Sequence, residues 1–462
     1  MAVRLLFARF GAHAWRNKTL GIMAFWGALL LLGCSSNETA PAQRLASSDS
    51  VVPTTRAAPA PSEATTSSTT TVTTSTSSTT TTIPEFDEVI VAAPGSEATS
   101  TDSNVVFGVD AALDILAPGG TIVLGPGVHP PIHLDGVAGD PTRPLRIVGA
   151  EGAVVRGESH SADAALLITG STHLEIRDVR AEHALWGIMV ESSQNIEIVQ
   201  NVIQDIGQEA IRVRDGSSHI QIIENTISNT GRRTDIASPN GEGIYIGTGT
   251  PSGVDVVTEI DILRNNIFGV ADEAIDIKLA VSDVRIADNR ISDVATATSG
   301  AIVIHLNAPS NAVDPNIILE RNIIRDVTRT SPYLDGNCIV AATTVTIVNN
   351  IIHGCEHRGI YLRGEGGIAT ILHNTLIDTG TEGALVDEFP SSTVVSQNNL
   401  GLSGEENHAP VSVDDLADPS TENYRPLSET SIPSTTPSVG VVDDFVGSER
   451  PSDFVTFGAV EQ

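Results

Sequence analysis

The 462-residue sequence contains little positive charge and almost no lysine. Lysine and arginine together number 26, against 57 aspartate and glutamate residues, which gives a formal net charge of −31 at pH 7. The lysines are Lys18 and Lys278. Because so acidic a chain repels other polyanions at long range, its composition argues against nucleic acid as a partner.

Cysteine is also scarce, and the sequence has three: Cys34, Cys338 and Cys355. So few cysteines exclude a disulfide-rich scaffold. Cys338 and Cys355 are close enough along the chain to pair in an oxidising compartment, but the sequence leaves their pairing open.

An apolar run at about residues 20–32 follows several basic residues and ends in "LLGC". The run is too short to span a membrane comfortably and is typical of a secretory signal. The tetrapeptide resembles the lipobox of bacterial lipoproteins. That resemblance implies that residues 1–33 are a signal peptide and that a lipid on Cys34 anchors the chain to the outer face of the cell membrane. The alternative is an ordinary signal peptide. In either case Lys278 is the only lysine expected in the mature chain.

Residues 34–100 are predicted to be a disordered linker. Between Thr65 and Thr82 every residue except Val72 is serine or threonine. Polar residues there do not alternate with apolar ones, so no face of a strand or helix could be buried. Such a segment would hold the following domain away from the membrane.

An internal repeat begins beyond this linker. An asparagine followed two places later by an apolar residue recurs about every 24 residues, with the longest gaps before Asn265 and Asn322. Each repeat also carries a segment with period two, such as "AIRV", "GIYI" and "AIDI", whose isoleucines share one face. The repeated asparagines are Asn201, Asn225, Asn265, Asn289, Asn322, Asn350, Asn374 and Asn398.

This repeat predicts an all-β fold, a single-stranded right-handed parallel β-helix of about ten coils over residues 101–402. The period-two pattern excludes a helical solenoid, and a β-propeller needs blades of about 40 residues or more. Aliphatic side chains would stack inside, and the asparagines would form a ladder that satisfies backbone groups in the turns. A short helix over Val109–Leu116 is predicted to cap the first coil. Residues 403–462 lose the repeat and are predicted to be an irregular segment packed along the β-helix.

The stretch "DEAIDIKLA" places Lys278 in the most informative coil. If Ile275 and Ile277 point inward, Asp276 and Lys278 point outward. When coils are aligned by their inward isoleucines, Glu209, Glu242 and Glu273 stack in a row beside them. Three stacked acids are costly unless a cation lies among them, which favours Ca²⁺ because its ligands are hard oxygens. The long gaps before Asn265 and Asn322 place enlarged loops on either side of this coil, where solenoids usually bind ligands.

The same alignment brings other candidate side chains near Lys278. A lysine can lose its proton when burial lowers its pKa, whereas an arginine cannot, so lysine here suggests proton transfer. The alternatives are a salt bridge from Lys278 to Asp276 or a neighbouring glutamate, and a solvated acidic surface. The candidate set comprises catalytic Lys278, His305 and Tyr245, metal-binding Glu242, Glu273, Asp276 and Asp272, and substrate-binding Arg212, Arg214, Arg363 and Tyr361.

The segment "EAIDIK" resembles the lysine-bearing strand of the chondroitinase-B/alginate-lyase group of polysaccharide lyases. The opening coil, "GTIVLGPGVHPPIHLDGVAGDPTRPLRIVGAEGAVVRG", resembles that group as well. The resemblance implies that Glu273 binds Ca²⁺ and that Lys278, five residues later, is the base. Two positions depart from the family pattern, since His305 aligns with its catalytic arginine and Ala271 replaces a second acidic ligand. "EAIDIK" is comparably similar to a lysine-dependent pectate-lyase group.

The resemblance implies Ca²⁺-assisted β-elimination on an acidic, uronate-containing polysaccharide. A uronate C5-epimerase would use the same base, and the sequence does not separate the two. A polygalacturonase-type hydrolase needs paired aspartates, and the outward positions of the repeat show no adjacent pair. The alternative of a different class is a non-catalytic surface protein that binds glycan. A monomer is expected in each case.

Overall fold

The computed structural model describes residues 85–96, 103–236, 240–249, 255–296, 299–305, 315–331, 334–364, 367–380, 383–388 and 393–401, and short pieces between 408 and 459. Within these ranges the chain is a right-handed parallel β-helix, as predicted. Its strands form three long parallel sheets, two of thirteen strands and one of ten. Each coil adds one strand to each sheet, so residues about one repeat apart become hydrogen-bonded neighbours.

The helix α1 spans Val109–Leu113, and the strands follow in chain order. They are β1 (Phe86–Val91), β2 (Val105–Val106), β3 (Leu116–Leu124), β4 (Gly127–His129), β5 (Ile132–Asp135), β6 (Leu145–Gly149), β7 (Ala153–Arg156), β8 (Ala164–Thr169), β9 (Thr172–Arg177), β10 (Arg180–Glu182), β11 (Trp186–Glu191), β12 (Gln194–Val199), β13 (Val202–Gln204), β14 (Ile211–Arg214), β15 (Ser218–Ile223), β16 (Thr226–Ser228), β17 (Ile244–Ile246), β18 (Val257–Leu263), β19 (Asn266–Phe268), β20 (Ile275–Ile277), β21 (Val281–Ala287), β22 (Arg290–Ser292), β23 (Val294–Thr296), β24 (Gly300–Ile304), β25 (Ile317–Glu320), β26 (Ile323–Arg329), β27 (Asn337–Ala341), β28 (Val345–Val348), β29 (Ile351–Cys355), β30 (Arg358–Leu362), β31 (Ile368–Leu372), β32 (Thr375–Thr379), β33 (Gly383–Asp387), β34 (Thr393–Gln397), β35 (Asn399–Leu400), β36 (His408–Ala409), β37 (Leu416–Asp418), β38 (Asn423–Pro426), β39 (Ser434–Thr435) and β40 (Val455–Thr456).

The core is a stack of aliphatic side chains that repeats from coil to coil. In the ten-stranded sheet, Ile211, Ile244, Ile275 and Ile302 are successive partners, and all four are fully buried. β-Branched side chains suit this pleated, buried surface, which is why the isoleucine-rich segments become strands. The predicted capping helix is shorter than expected. It ends at Leu113, because Leu116 already begins β3.

The asparagine ladder lies at a turn beside the core. The amide Nδ2 of each asparagine donates to a carbonyl of the preceding coil and to Oδ1 of the next asparagine, at 2.8 to 3.0 Å for Asn265. The prediction is wrong at its last member. Asn399 accepts from Asn374, and Asn398 instead occupies the turn before it with a φ of 57°. The last repeat is one residue longer, so counting 24 residues from Asn374 gives the wrong asparagine.

The first strand begins earlier than the predicted domain boundary. β1 lies within the segment 34–100 that was predicted to be disordered, yet it pairs with β3 in parallel and buries Val89 and Val91. Residues 1–84, with the predicted signal peptide, the lipid site at Cys34 and most of the linker, lie outside the described residues. Those expectations therefore stay predictions. No helix in the described part of the chain is long and apolar enough to cross a bilayer.

The described pieces after Leu400 contact the outside of one thirteen-stranded sheet. Leu416, Tyr424 and Ala459 pack against Ile323, Ile351 and Ile377. Cys338 on β27 and Cys355 on β29 form a disulfide with a Cα–Cα distance of 5.6 Å. The bond answers the question that the sequence left open, and it links the ten-stranded sheet to a thirteen-stranded sheet.

Candidate functional site

The site lies on the ten-stranded sheet, where strand pairing sets three outward columns of side chains. The middle column runs through Arg212, Tyr245, Asp276, Val303 and, two coils further, Tyr361. This register is the predicted one. A second column, two residues before the first inward isoleucine, carries Trp186, Glu209, Glu242 and Glu273. A third column follows the second inward residue and carries Arg214, Gly247, Lys278, His305 and Arg363.

Three carboxylates meet at one point, which we call the acid cluster: Glu242, Glu273 and Asp276. One carboxylate oxygen of each lies within 4.8 Å of the others, and all three residues are buried. Burial and the negative charges of Glu209, Glu273, Asp276 and Asp272 raise the pKa of Glu242 well above its ordinary value. Its buried Oε2 accepts no hydrogen bond. Such a cluster is suited to a cation.

The acid cluster fits Ca²⁺ by the chemistry of its donors. Carboxylates offer the hard oxygens that Ca²⁺ prefers, and each can bind through one or both atoms. Glu242, Glu273 and Asp276 are the residues that would hold the ion. Asp272 is buried nearby and adds negative charge, but the three-residue cluster does not include it.

Lys278 forms a salt bridge with Asp276, the alternative considered from the sequence. The side chain of Asp276 is 0% exposed and that of Lys278 is 16% exposed. Burial by itself lowers the pKa of Lys278, but the charge and close contact of Asp276 outweigh it, with smaller contributions from Tyr245 and Glu273. The pKa of Lys278 is therefore raised above its ordinary value. The Lys278 side chain is therefore an ammonium. Its raised pKa is the opposite of the lowered pKa that the sequence suggested.

His305 completes the group around Asp276. Its Nε2 lies 3.1 Å from Asp276 Oδ1 and 3.4 Å from Lys278 Nζ, and its side chain is 30% exposed. Asp276 thus contacts a lysine and a histidine while it belongs to the acid cluster. Lys278 and His305, two of the three candidate catalytic residues, are held side by side through one carboxylate.

Tyr245 is buried between two cations. Lys278 Nζ lies 5.0 Å from its ring centre and the Arg212 guanidinium 5.1 Å from it, so both make cation–π contacts. Burial raises the pKa of Tyr245, and Asp276 adds to that rise while Lys278 opposes it. The phenol therefore keeps its proton at neutral pH.

Trp186 begins the acidic column and was missed by the sequence analysis. Its indole Nε1 donates to Glu209 at 2.7 Å, and the Arg212 guanidinium lies 5.5 Å from its ring. Arg212 also lies 3.6 Å from Glu209. The signal was present in the alignment, because Trp186 stands two residues before Ile188 just as Glu209 stands two before Ile211.

The other predicted substrate-binding residues are spread along the sheet. Arg214 pairs with Glu191 at 3.0 Å and Asp215 at 2.8 Å, away from the acid cluster. Tyr361 and Arg363 lie three coils beyond Asp276 and Lys278, roughly 14 Å along the sheet at about 4.8 Å per strand. Tyr361 donates to Glu388 at 2.6 Å and packs on Arg358. Of the four, only Arg212 is part of the central site.

The enlarged loops expected beside this coil lie partly outside the described residues, at 237–239, 250–254 and 306–314. The side chains that the structure does describe lie at their edges. His305 is the last described residue before one of these gaps.

Comparison with known proteins supports the fold. Residues 164–319 match the family model described as "Right handed beta helix region", a range that includes the acid cluster and Lys278. No curated protein matches the chain.

Several solved structures resemble it. They include an alginate lyase from Paenibacillus sp. (20% identity, 65% of this chain and 95% of that chain covered, TM-score 0.49) and pectate lyase Pel9A (15% identity, 82% and 97% covered, TM-score 0.50). A surface adhesin of Streptococcus pneumoniae, PfbA, is also similar (13% identity, 71% and 91% covered, TM-score 0.46). At these identities the likeness shows the fold alone, which is the right-handed parallel β-helix.

Proposed function

We propose that this chain binds an acidic, uronate-containing polysaccharide at the acid cluster and cleaves it by Ca²⁺-assisted β-elimination, with Lys278 as the base. The observation that carries the proposal is the meeting of Glu242, Glu273 and Asp276 at one buried point, in contact with Lys278. A cation at this point would neutralise the carboxylate of a uronate, which makes the neighbouring C5 proton easier to remove.

The acid cluster and Arg212 would position the sugar. A bound Ca²⁺ supplies positive charge that neutralises the uronate carboxylate and makes the C5 proton more acidic. Arg212, held between the Trp186 and Tyr245 rings, presents a guanidinium that can bind a flanking carboxylate. Trp186 is partly exposed and offers a face on which a sugar ring can stack.

Asp276 controls the proton on Lys278. In the metal-free protein the ion pair with Asp276 favours the ammonium form of Lys278 and so opposes its action as a base. When the charge of Asp276 is shared with a bound cation, its hold on Lys278 weakens and the burial of the lysine lowers its pKa. Lys278 Nζ would then take the C5 proton. Lys278 would therefore act as a base when a cation occupies the acid cluster.

The elimination also needs a proton donor for the oxygen that leaves C4. As Lys278 takes the C5 proton, the C4–oxygen bond breaks and the electron pair forms a C4–C5 double bond. The leaving oxygen takes a proton from His305 or Tyr245. Tyr245 suits this role because its raised pKa keeps it protonated, and His305 because it is the more exposed of the two. A C5-epimerase would share the first step and return a proton to C5 instead.

A non-catalytic glycan-binding protein is the second candidate, and the ion pair of Lys278 favours it. A lysine fixed on Asp276 with a raised pKa is suited to charge balance rather than to proton transfer. On this view the acid cluster, Arg212 and Trp186 hold an anionic glycan through a cation without reaction.

The experiment compares the full-length chain with two variants on alginate, chondroitin and pectate, with and without Ca²⁺, and follows the ultraviolet absorbance of unsaturated uronate. We expect Ca²⁺-dependent activity that Lys278→Ala lowers by about 100-fold or more, since a general base contributes on this scale. Arg264→Ala is the matched control. It removes a surface cation that pairs with Glu224 in the turns after β18 and β15, away from the ten-stranded sheet, so its activity should equal that of the wild type.

Two outcomes decide against β-elimination. Glycan binding without product, retained in Lys278→Ala, selects the binding protein. A uronate epimer without a double bond selects the epimerase, and proton exchange at C5 in deuterated water detects it.

A further inference from the structure

We propose a second metal site, distinct from the acid cluster, formed by His160, His183 and Asp205 and suited to Zn²⁺ or a similar transition metal. The two imidazoles and the carboxylate each offer an atom within 4.8 Å of the others. The proposal does not rest on the function proposed above.

The distances match a metal site better than they match a simple ion pair. His160 Nε2 lies 3.3 Å from Asp205 Oδ1, and His183 Nδ1 lies 3.6 Å from Asp205 Oδ2. Ligands bound tetrahedrally at about 2.0 to 2.1 Å from zinc are themselves about 3.3 Å apart. The imidazole rings are 4.3 Å apart and inclined at 62°, so they do not stack, and each places one nitrogen near the Asp205 carboxylate.

The fold holds these side chains in place from three directions. His183 and Asp205 occupy equivalent turns of successive coils, both with a φ of 54°, and the His183 amide donates to the Asp205 carbonyl at 3.0 Å. His160 comes from a separate loop. That loop can approach because residue 207 is glycine, where a Cβ would lie 2.0 Å from the His160 carbonyl oxygen. Ser161 also fixes the loop by donating to Asp235 at 2.8 Å.

The donor set indicates the class of metal. Imidazole nitrogens with one carboxylate suit Zn²⁺, Cu²⁺, Ni²⁺ and Co²⁺, whereas Ca²⁺ and Mg²⁺ prefer oxygen alone. The three side chains are half-buried to exposed, so solvent can supply the remaining ligand. Bound metal would tie the His160 loop to two coils, a few residues before Trp186.

Two contacts in the metal-free protein must change. His160 Nε2 is 3.1 Å from the Asp205 carbonyl oxygen, so metal binding requires its ring proton on Nδ1. Arg232 Nε lies 3.7 Å from Asp205 Oδ1, and its side chain is 59% exposed, so it can turn into solvent. Because Arg232 places a competing positive charge at the site, Arg232→Gln should bind metal more tightly.

The test measures Zn²⁺ binding to the untagged full-length chain by equilibrium dialysis, with excess Ca²⁺ to occupy the acid cluster. We expect one Zn²⁺ that Ca²⁺ does not displace, and a visible absorption spectrum when Co²⁺ replaces it. His183→Asn and Asp205→Asn should each lower the Zn²⁺ affinity by about tenfold or more, since even residues behind the ligands contribute this much. Asparagine tolerates the positive φ at both positions.

His219→Asn is the matched control. His219 also has a positive φ of 56° and pairs with one acid, Glu259, but it does not belong to the three-residue cluster. Its variant should bind Zn²⁺ like the wild type. The proposal is overturned if the wild type binds no Zn²⁺, or if His183→Asn and Asp205→Asn both bind it as the wild type does. Thermal unfolding without metal checks that each variant is folded.

Discussion

Glu242 differs from its acidic neighbours Glu209 and Asp276, each of which lies beside a basic side chain of the protein. Glu209 lies near Arg212 and accepts from Trp186, and Asp276 contacts Lys278 and His305. Glu242, between them in the stack, has a buried oxygen that accepts no hydrogen bond. The protein thus compensates Glu209 and Asp276 with its own side chains and leaves Glu242 to protonation or to a bound cation.

Glu242→Gln should change how stability depends on pH. Its pKa is raised in the folded state, so the folded protein holds a proton that the unfolded chain has lost. The bound proton contributes to the free energy of unfolding. This contribution is fully present below about pH 4.5 and is lost as the pH rises through the folded-state pKa. It amounts to about 1.4 kcal/mol for each unit by which the folded-state pKa exceeds the unfolded-state pKa. Without divalent cations, the unfolding temperature of Glu242→Gln should fall less with rising pH than that of the wild type.

Thermal unfolding between pH 4 and 8, in chelator, measures this difference. Added Ca²⁺ should raise the wild-type unfolding temperature at pH 8 and affect Glu242→Gln less, because a cation stabilises the folded state that binds it. Parallel pH curves for the two proteins would show that Glu242 does not hold the proton.

At the scale of the element, the asparagine ladder connects successive turns through side-chain amides. Asn265 donates to Ile222 and Asn289, and its Oδ1 accepts from both amides of Asn225. Asn265→Ala leaves these buried groups without partners, at about 1–3 kcal/mol for each group. We expect the free energy of unfolding to fall by about 3 kcal/mol or more.

The neighbouring Asn266→Ala is the control for this prediction. Asn266 is next in sequence but exposed on β19, so its replacement should change the free energy of unfolding by no more than about 0.5 kcal/mol. Denaturant unfolding of the two variants measures both values. Equal effects would mean that the amide ladder is not what stabilises the turns.

The repeat could be predicted from sequence because the coil register follows the inward aliphatic side chains, many of which are isoleucines. Their alternation gave the strand neighbours of Asp276 correctly, Tyr245 and Val303. Asn398 was assigned wrongly because one inserted residue leaves the pattern of polar and apolar residues almost unchanged. The charge state of Lys278 depends on distances within one coil and on burial by neighbouring coils, which alternation does not encode. His160 reaches Asp205 from a loop outside the repeat, so no periodicity could reveal it.

At the scale of the whole molecule, net charge is the dominant feature. With a net charge of −31, the chain repels itself at neutral pH, and it would repel a polyanionic polysaccharide as well. Binding such a ligand therefore depends on local positive charge, which a cation in the acid cluster and Arg212 would supply. Salt weakens the long-range repulsion more than it weakens contacts between charges at a buried site.

Self-repulsion predicts that added NaCl stabilises the folded protein at pH 7. The screening length falls from about 30 Å at 0.01 M to about 10 Å at 0.1 M, so most of the effect should appear over this range. We expect the unfolding temperature to rise by several degrees there, measured in chelator to exclude divalent cations. The same titration at pH 4.5, near the calculated isoelectric point, is the control, because the net charge is then close to zero and salt should have little effect. An equal rise at both pH values would mean that salt acts through general exclusion from the protein surface rather than by screening its charge.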